Sequence, residues 1–259
     1  MTLRSRVAGL RRELLSSVYV RRVSLSDQAP VVSFCFDDFP RTAWTVGGTI
    51  LKDYGIRGTY YTAPGLLNTS NELGDQMTRA DIDAVLCDGN EIGCHTFSHC
   101  SCRRVSPRAY ENEAAKGRDV LQQMIGNDPG SFSYPFGHVS VVSKRDVGAK
   151  MKSARTIFPG INGPTADLNL LRANSLYGEV NQLSKAESLL TANKRENGWL
   201  IFYTHDVRRD PSEWGCTPAL LEETVDLTLR MGFAVMPVGE VVESAVRSEN
   251  LVRSLAISV

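Results

Sequence analysis

Neither sign of charge is in surplus in this 259-residue sequence: Lys+Arg and Asp+Glu are each 29. Proteins that neutralise a phosphate backbone carry a basic excess, so a nucleic-acid partner is not expected. No run approaches the roughly 20 apolar residues that a membrane helix needs. The basic N-terminal stretch MTLRSRVAGLRRELLSSVYVRR is interrupted by Arg4, Arg6, Arg11 and Arg12, so it lacks the apolar core of a signal peptide. Cysteine is sparse: six in 259 residues do not make a secreted disulfide scaffold. Free thiols in a reducing compartment are the simpler reading, and a cytoplasmic location is expected. Internal repeats, low-complexity tracts and long linkers are missing as well.

What is there is ordinary for a globular protein: 42% hydrophobic and 22% charged residues. Residues 1–29 are expected to form a basic helical extension, because Leu3, Val7, Leu10 and Leu14 share one helical face. That face either packs on the protein body or lies on a membrane surface. Over residues 30–259, short apolar β-rich runs alternate with helical patterns. VVSFCFDD, RGTYYTAP, EIGCHT, SFSYPFG, GWLIFYTHD and FAVMPVGE read as strands. Between them, Thr and Ser caps with Pro at the first turn mark helices, as in SPRAYENEAAKGRDVLQQMIG and TPALLEETVDLTLRMG. This alternation implies a parallel sheet, and the continuous apolar strands suit burial on both faces. The expected fold is a single α/β domain of barrel type, with the stretch from about Lys152 to Tyr177 the hardest to divide into elements.

In such a fold, catalytic groups gather at the C-terminal ends of the strands. Asp37 and Asp38 end the first strand, His95 ends the third with His99 just after it, and Pro135, Phe136 and Gly137 end the fourth. His205 and Asp206 end the late strand. Two histidines and one carboxylate bind a divalent metal and leave coordination positions open for chemistry. Adjacent Asp37 and Asp38 cannot point the same way on an extended strand. One of them binds the metal while the other accepts a proton from water. His205 is the available acid for a leaving nitrogen.

In their order, FCFDDFP, HTFSH, YPFG and FYTHD resemble the successive motifs of the polysaccharide deacetylase family, carbohydrate esterase family four, to which the nodulation-type chitooligosaccharide deacetylases belong. The resemblance spans roughly Val31 to Glu240. It implies a distorted (β/α) barrel and metal-dependent hydrolysis of N-acetyl groups on a sugar, with zinc as the metal. An N-acetylated carbohydrate is then the partner. It implies that Asp37 is the general base, that Asp38, His95 and His99 hold the metal, and that His205 is the general acid. The backbone N–H of Phe136, beside Pro135, resembles the oxyanion donor. The alternatives are a hydrolase of another non-peptide C–N amide and an inactive member that only binds glycan.

Three departures stand out. Phe39 follows the aspartate pair where a glycine is common, and Ser133 stands where many members have an arginine that contacts the base. The acidic, tryptophan-containing stretch that supports the acid histidine is not recognisable. Arg172, in the apolar run DLNLLRANSLYG, would need an acidic partner if buried. It either reaches Asp37 and replaces the missing arginine, or faces solvent or a distant carboxylate.

The stretch EIGCHTFSHCS also places Cys94, Cys100 and Cys102 beside the two histidines. Cys94 precedes His95 on a strand and should face the other way. Cys100 and Cys102 lack C-x-x-C spacing, so buried thiols are expected and Asp38 is the better third ligand. Trp214, in a polar loop after His205, either stacks on a sugar ring or simply packs.

Overall fold

The computed structural model describes residues 12–25 and 30–257, with side chains described as far as Leu251. Leu3, Val7 and Leu10 of the expected N-terminal helix lie outside the described residues. Residues 12–17 are helical, but Leu14 is exposed and its neighbour Leu15 is buried. Residues 18–25 are not helical. Arg22–Ser24 forms strand β1, antiparallel to Thr165–Asp167.

From there the chain alternates as expected. β2 (Val31–Asp37) leads through a π-helical turn to helix α1 (Thr49–Asp53), and β3 (Thr59–Thr62) follows. A small hairpin, β4 (Ser70–Asn71) and β5 (Gly74–Asp75), precedes α2 (Arg79–Cys87). Then come β6 (Glu91–Cys94), α3 (Pro107–Ile125), β7 (Ser131–Ser133), α4 (Val141–Gly148) and β8 (Ser153–Arg155). β9 (Thr165–Asp167), β10 (Asn174–Ser175), α5 (Leu183–Glu196), β11 (Trp199–Thr204), α6 (Pro218–Arg230), β12 (Ala234–Val235) and α7 (Val238–Ile257) complete the chain. The last strand is much shorter than FAVMPVGE suggests, because Val238 already begins α7. None of the described helices is long and apolar enough to cross a membrane.

Eight of the described strands form one parallel sheet in the order β10-β11-β2-β3-β6-β7-β8, with β12 also pairing β2. The sheet curls until its two edges nearly meet. The gap between β8 and β10 is bridged by residues 168–171: Ala154 N–H donates to Leu168 O at 2.7 Å and Thr156 N–H to Leu171 O at 2.8 Å. The result is a distorted (β/α) barrel.

β2 is buried along its whole length, and its side chains alternate between two cores. Val32, Phe34 and Phe36 join the large core under the helices, whereas Val31 and Cys35 join a smaller inner core. Val23 and Leu25 from the β1 segment, together with Val238, Val241 and Val242 of α7, complete that inner core at one end of the barrel. Polar groups inside it are paired: Trp199 Nε1–H donates to Ser33 Oγ at 2.9 Å, and Ser33 donates to Met236 O at 2.7 Å.

The N-terminal segment is held by a buried lysine. Lys144 has no exposed surface and donates to Leu15 O at 2.6 Å, Val18 O at 2.8 Å and Asp167 at 2.6 Å. Lys144→Met removes all three donations and strands two carbonyls. We expect a loss of about 1–3 kcal/mol, measured by urea denaturation, with faster amide exchange over residues 15–25. Unchanged exchange there would show that the apolar contacts of Leu15, Val23 and Leu25 hold the segment alone.

Candidate active site

The site lies at the C-terminal ends of the barrel strands. β2 ends at Asp37, and Asp38 and Phe39 then take left-handed backbone angles, φ +63° and +57°. This reversal, rather than strand alternation alone, sends the two carboxylates to different neighbours. It also explains the glycine usual at position 39, since left-handed angles strain a bulky residue. Phe39 meets that strain with burial. It is wholly enclosed, with its ring 5.0 Å from that of Tyr60 and its carbonyl accepting Met77 N–H at 3.1 Å. Its side chain therefore belongs to the core and leaves the site free.

Asp38 faces both histidines. Its Oδ1 lies 3.3 Å from His95 Nε2 and 3.1 Å from His99 Nε2. That buried oxygen has no hydrogen-bond partner among the described residues. The three side chains offer ligand atoms all within 4.8 Å of one another. His95 Nδ1 donates to Ser133 O at 2.7 Å, which puts its proton on the far side of the ring and leaves the Nε2 lone pair aimed inward. Burial pushes His99 down to about 4, against the pull of Asp38, so its imidazole is neutral and able to ligate near pH 7. Burial works to raise the Asp38 carboxyl, but the polar edges of His95, His99 and His205 around it outweigh that and hold the group well below the usual range. An orphaned carboxylate oxygen between two inward-facing imidazole nitrogens fits a divalent cation.

Asp37 turns into the barrel and meets an arginine, but not Arg172. The Arg172 guanidinium donates instead to Pro159 O at 3.0 Å, and its backbone N–H donates to Asn162 Oδ1. The partner of Asp37 is Arg155, whose Nη2 donates to Oδ1. Arg155 has no exposed surface. It lies between the rings of Tyr61 and Tyr203, at 4.8 and 4.9 Å from their centroids, and donates to Thr156 O at 3.1 Å. Burial works against its charge, but Asp37 more than compensates, so its pKa is raised. Position 155 on β8 is the cross-strand partner of Ser133 on β7. The arginine missing at Ser133 is thus supplied one strand further along. The run SARTIF held the signal, since it sets an arginine among apolar residues just as the Arg172 run does.

Phe136 completes the wall beside His99, with ring centroids 4.5 Å apart. Pro135 is buried, whereas Phe136 is 46% exposed and takes φ +58°. Phe136 sits at the second position of a short 3-10 turn, where a backbone N–H has no intrahelical acceptor. His205 ends β11's run, and its Nδ1 lies 3.0 Å from Trp214 O. No carboxylate takes that position. Trp214 is half-exposed on the loop, edge-on to Tyr177 at 6.0 Å.

The cysteines stand apart, and all six are free thiols. Cys94 turns away from the histidines toward α3, with Sγ 3.9 Å from Ala114 O. Cys102 Sγ donates to the His138 carbonyl at 3.1 Å, and Cys100 packs against the large core.

Residues 25–153 match the family model described as polysaccharide deacetylase. A stretch of 109 residues is 26% identical to a peptidoglycan-N-acetylglucosamine deacetylase of Bacillus cereus, covering 42% of this chain and 37% of that protein. The chain thus spans little more than a third of that curated relative. Among solved structures, the Xyl-CE4 domain of a multidomain xylanase from the hindgut metagenome of Trinervitermes trinervoides aligns with a TM-score of 0.61 at 16% identity, over 84% of this chain and 91% of that one. The chitin deacetylase from the fungal pathogen Colletotrichum lindemuthianum gives 0.57 at 17% identity, over 85% and 90%. Likeness at these identities establishes the fold.

Proposed function

Because the chain belongs to the polysaccharide deacetylase family, we propose that it is a metal-dependent hydrolase that removes an N-acetyl group from a sugar of a polysaccharide, oligosaccharide or glycan precursor. The observation that carries this reading is the orphaned Asp38 oxygen between His95 and His99, next to a base already paired with Arg155. Two imidazoles and a carboxylate suit zinc, and we assign zinc as the native metal. Bound there, the cation supplies Lewis acidity to water and to the acyl carbonyl.

The chain's own groups do the rest. Asp37 accepts the proton of the attacking water, while Arg155 fixes one of its oxygens and leaves the other for that task. The Phe136 N–H donates to the carbonyl oxygen as negative charge develops on it. His205 gives a proton to the leaving sugar nitrogen. Trp214 and Tyr177 flank that histidine and offer apolar faces to a sugar ring. The six free thiols support a reducing compartment, and we place the enzyme in the cytoplasm.

Acetate release from a panel of N-acetylated oligosaccharides and nucleotide-linked sugars, with and without chelator, tests the proposal. No release from any of them in the zinc-loaded protein sinks it. Asp37→Asn should retain the metal yet lose turnover by about 10²–10⁴-fold, because an amide cannot take the proton. A near-normal rate would remove Asp37 from the mechanism.

A further inference from the structure

Asp206 follows the acid histidine and has no part in the steps above. It has no exposed surface, so its carboxylate cannot face substrate. It accepts instead from within its own loop. Arg208 Nε–H donates at 2.8 Å, Ser212 N–H at 2.9 Å and the Ser212 hydroxyl at 2.5 Å. Ser212 Oγ in turn accepts Trp214 N–H at 3.2 Å. The Asp206 carbonyl accepts Cys216 N–H at 3.0 Å and closes the loop. Gly215 passes so near that a Cβ there would lie 2.4 Å from Asp206 Oδ1. The loop from 206 to 216 is therefore folded around one carboxylate.

What that loop presents to the site is a carbonyl. Trp214 O accepts His205 N–H at 3.2 Å and faces His205 Nδ1 at 3.0 Å. A carbonyl can only accept, so Nδ1 carries a hydrogen whether the imidazole is neutral or charged. Nε2, on the opposite edge of the ring, is left as the atom that gains and gives up the proton. We infer that Asp206 is a positioning residue for the acid histidine: through Ser212 it fixes the Trp214 carbonyl, and that carbonyl fixes the tautomer and orientation of His205. This takes over the task for which the missing acidic stretch would supply a carboxylate.

The inference rests on the reading of His205 as general acid. In that step the C–N bond breaks, its electron pair goes to nitrogen, and the Nε2 proton follows it. The neutral imidazole that remains keeps its Nδ1 proton on Trp214 O.

The step gives a test that simple destabilisation would not mimic. An N-acetylated oligosaccharide needs its nitrogen protonated, whereas 4-nitrophenyl acetate leaves as a stable phenolate and needs no acid. Asp206→Asn and Ser212→Ala should lower kcat on the amide about 10–100-fold more than on the ester, within the span of one acid's contribution. KM for the amide should change little, and Ser212→Thr, which restores the hydroxyl, should recover the amide rate. Equal losses on amide and ester would overturn the inference, as would a Ser212→Ala enzyme of wild-type amide rate. Proton NMR supplies a readout free of turnover. The Nδ1 proton of His205, assigned by its disappearance in His205→Gln, should exchange slowly in the wild type and quickly in Ser212→Ala. An unchanged signal would overturn the inference too. A wild type inert on every acyl sugar would sink the hydrolase reading instead, while the NMR comparison would still decide the role of Asp206.

Discussion

Arg155→Met should destabilise the protein by about 3–5 kcal/mol, because it strands Asp37 as an uncompensated charge in the barrel interior. Both members of the pair are almost fully enclosed, at 0% and 5% side-chain exposure. The guanidinium also fills the space between Tyr61 and Tyr203, which methionine occupies only in part. Turnover should fall with stability, since the base loses the group that orients it. The double variant Arg155→Met, Asp37→Leu separates these effects. Buried ion pairs replaced by apolar groups often cost nothing, so the double variant should regain most of the stability and none of the activity. Urea midpoints read the first quantity and acetate release the second. A single variant that loses less than about 1 kcal/mol would show that the pair is not the buried contact described.

His95→Ala should lose metal and activity together, while Cys100→Ser and Cys102→Ser keep both. The two histidines and Asp38 are the only described group of at least three potential ligands that converge, and Cys100 and Cys102 take no part in it. With His95 gone, two ligands remain, and His99 and Asp38 alone leave the cation largely to solvent. Metal content of the purified variants, followed by acetate release, decides the matter. Loss of metal from either serine variant would mean that the ligand set is wrong.

The parts of this molecule that were legible in sequence are those where local pattern and global fold agree. β2 and β11 are continuous apolar runs that end in acidic or imidazole groups, and both became central barrel strands with the site at their ends. Ser106 with Pro107 and Thr217 with Pro218 marked helix starts that the structure retains within a residue. Illegible were contacts that join distant, short elements. β8 and β10 have three and two residues, too few for periodicity to register. The sequence therefore points to Arg172 rather than Arg155, although the same argument about buried charge applies to both. The φ of +57° at Phe39 was hidden for a related reason: its strain is met by Tyr60 and Met77, residues that sequence order gives no cause to place nearby. The first residues of FAVMPVGE kept strand form, but the N-terminus of α7 claimed the rest.

The carbonyl of Trp214 faces His205, while the indole of the same residue stands half-exposed beside Tyr177. Under the proposed assignment one position carries two separable duties, one through a backbone carbonyl that any amino acid supplies, the other through a side chain free to vary. On the proposed mechanism, exchanging that side chain should suit a different glycan without disturbing proton delivery. The proposal thus makes position 214 the natural starting point for retargeting specificity at little catalytic risk.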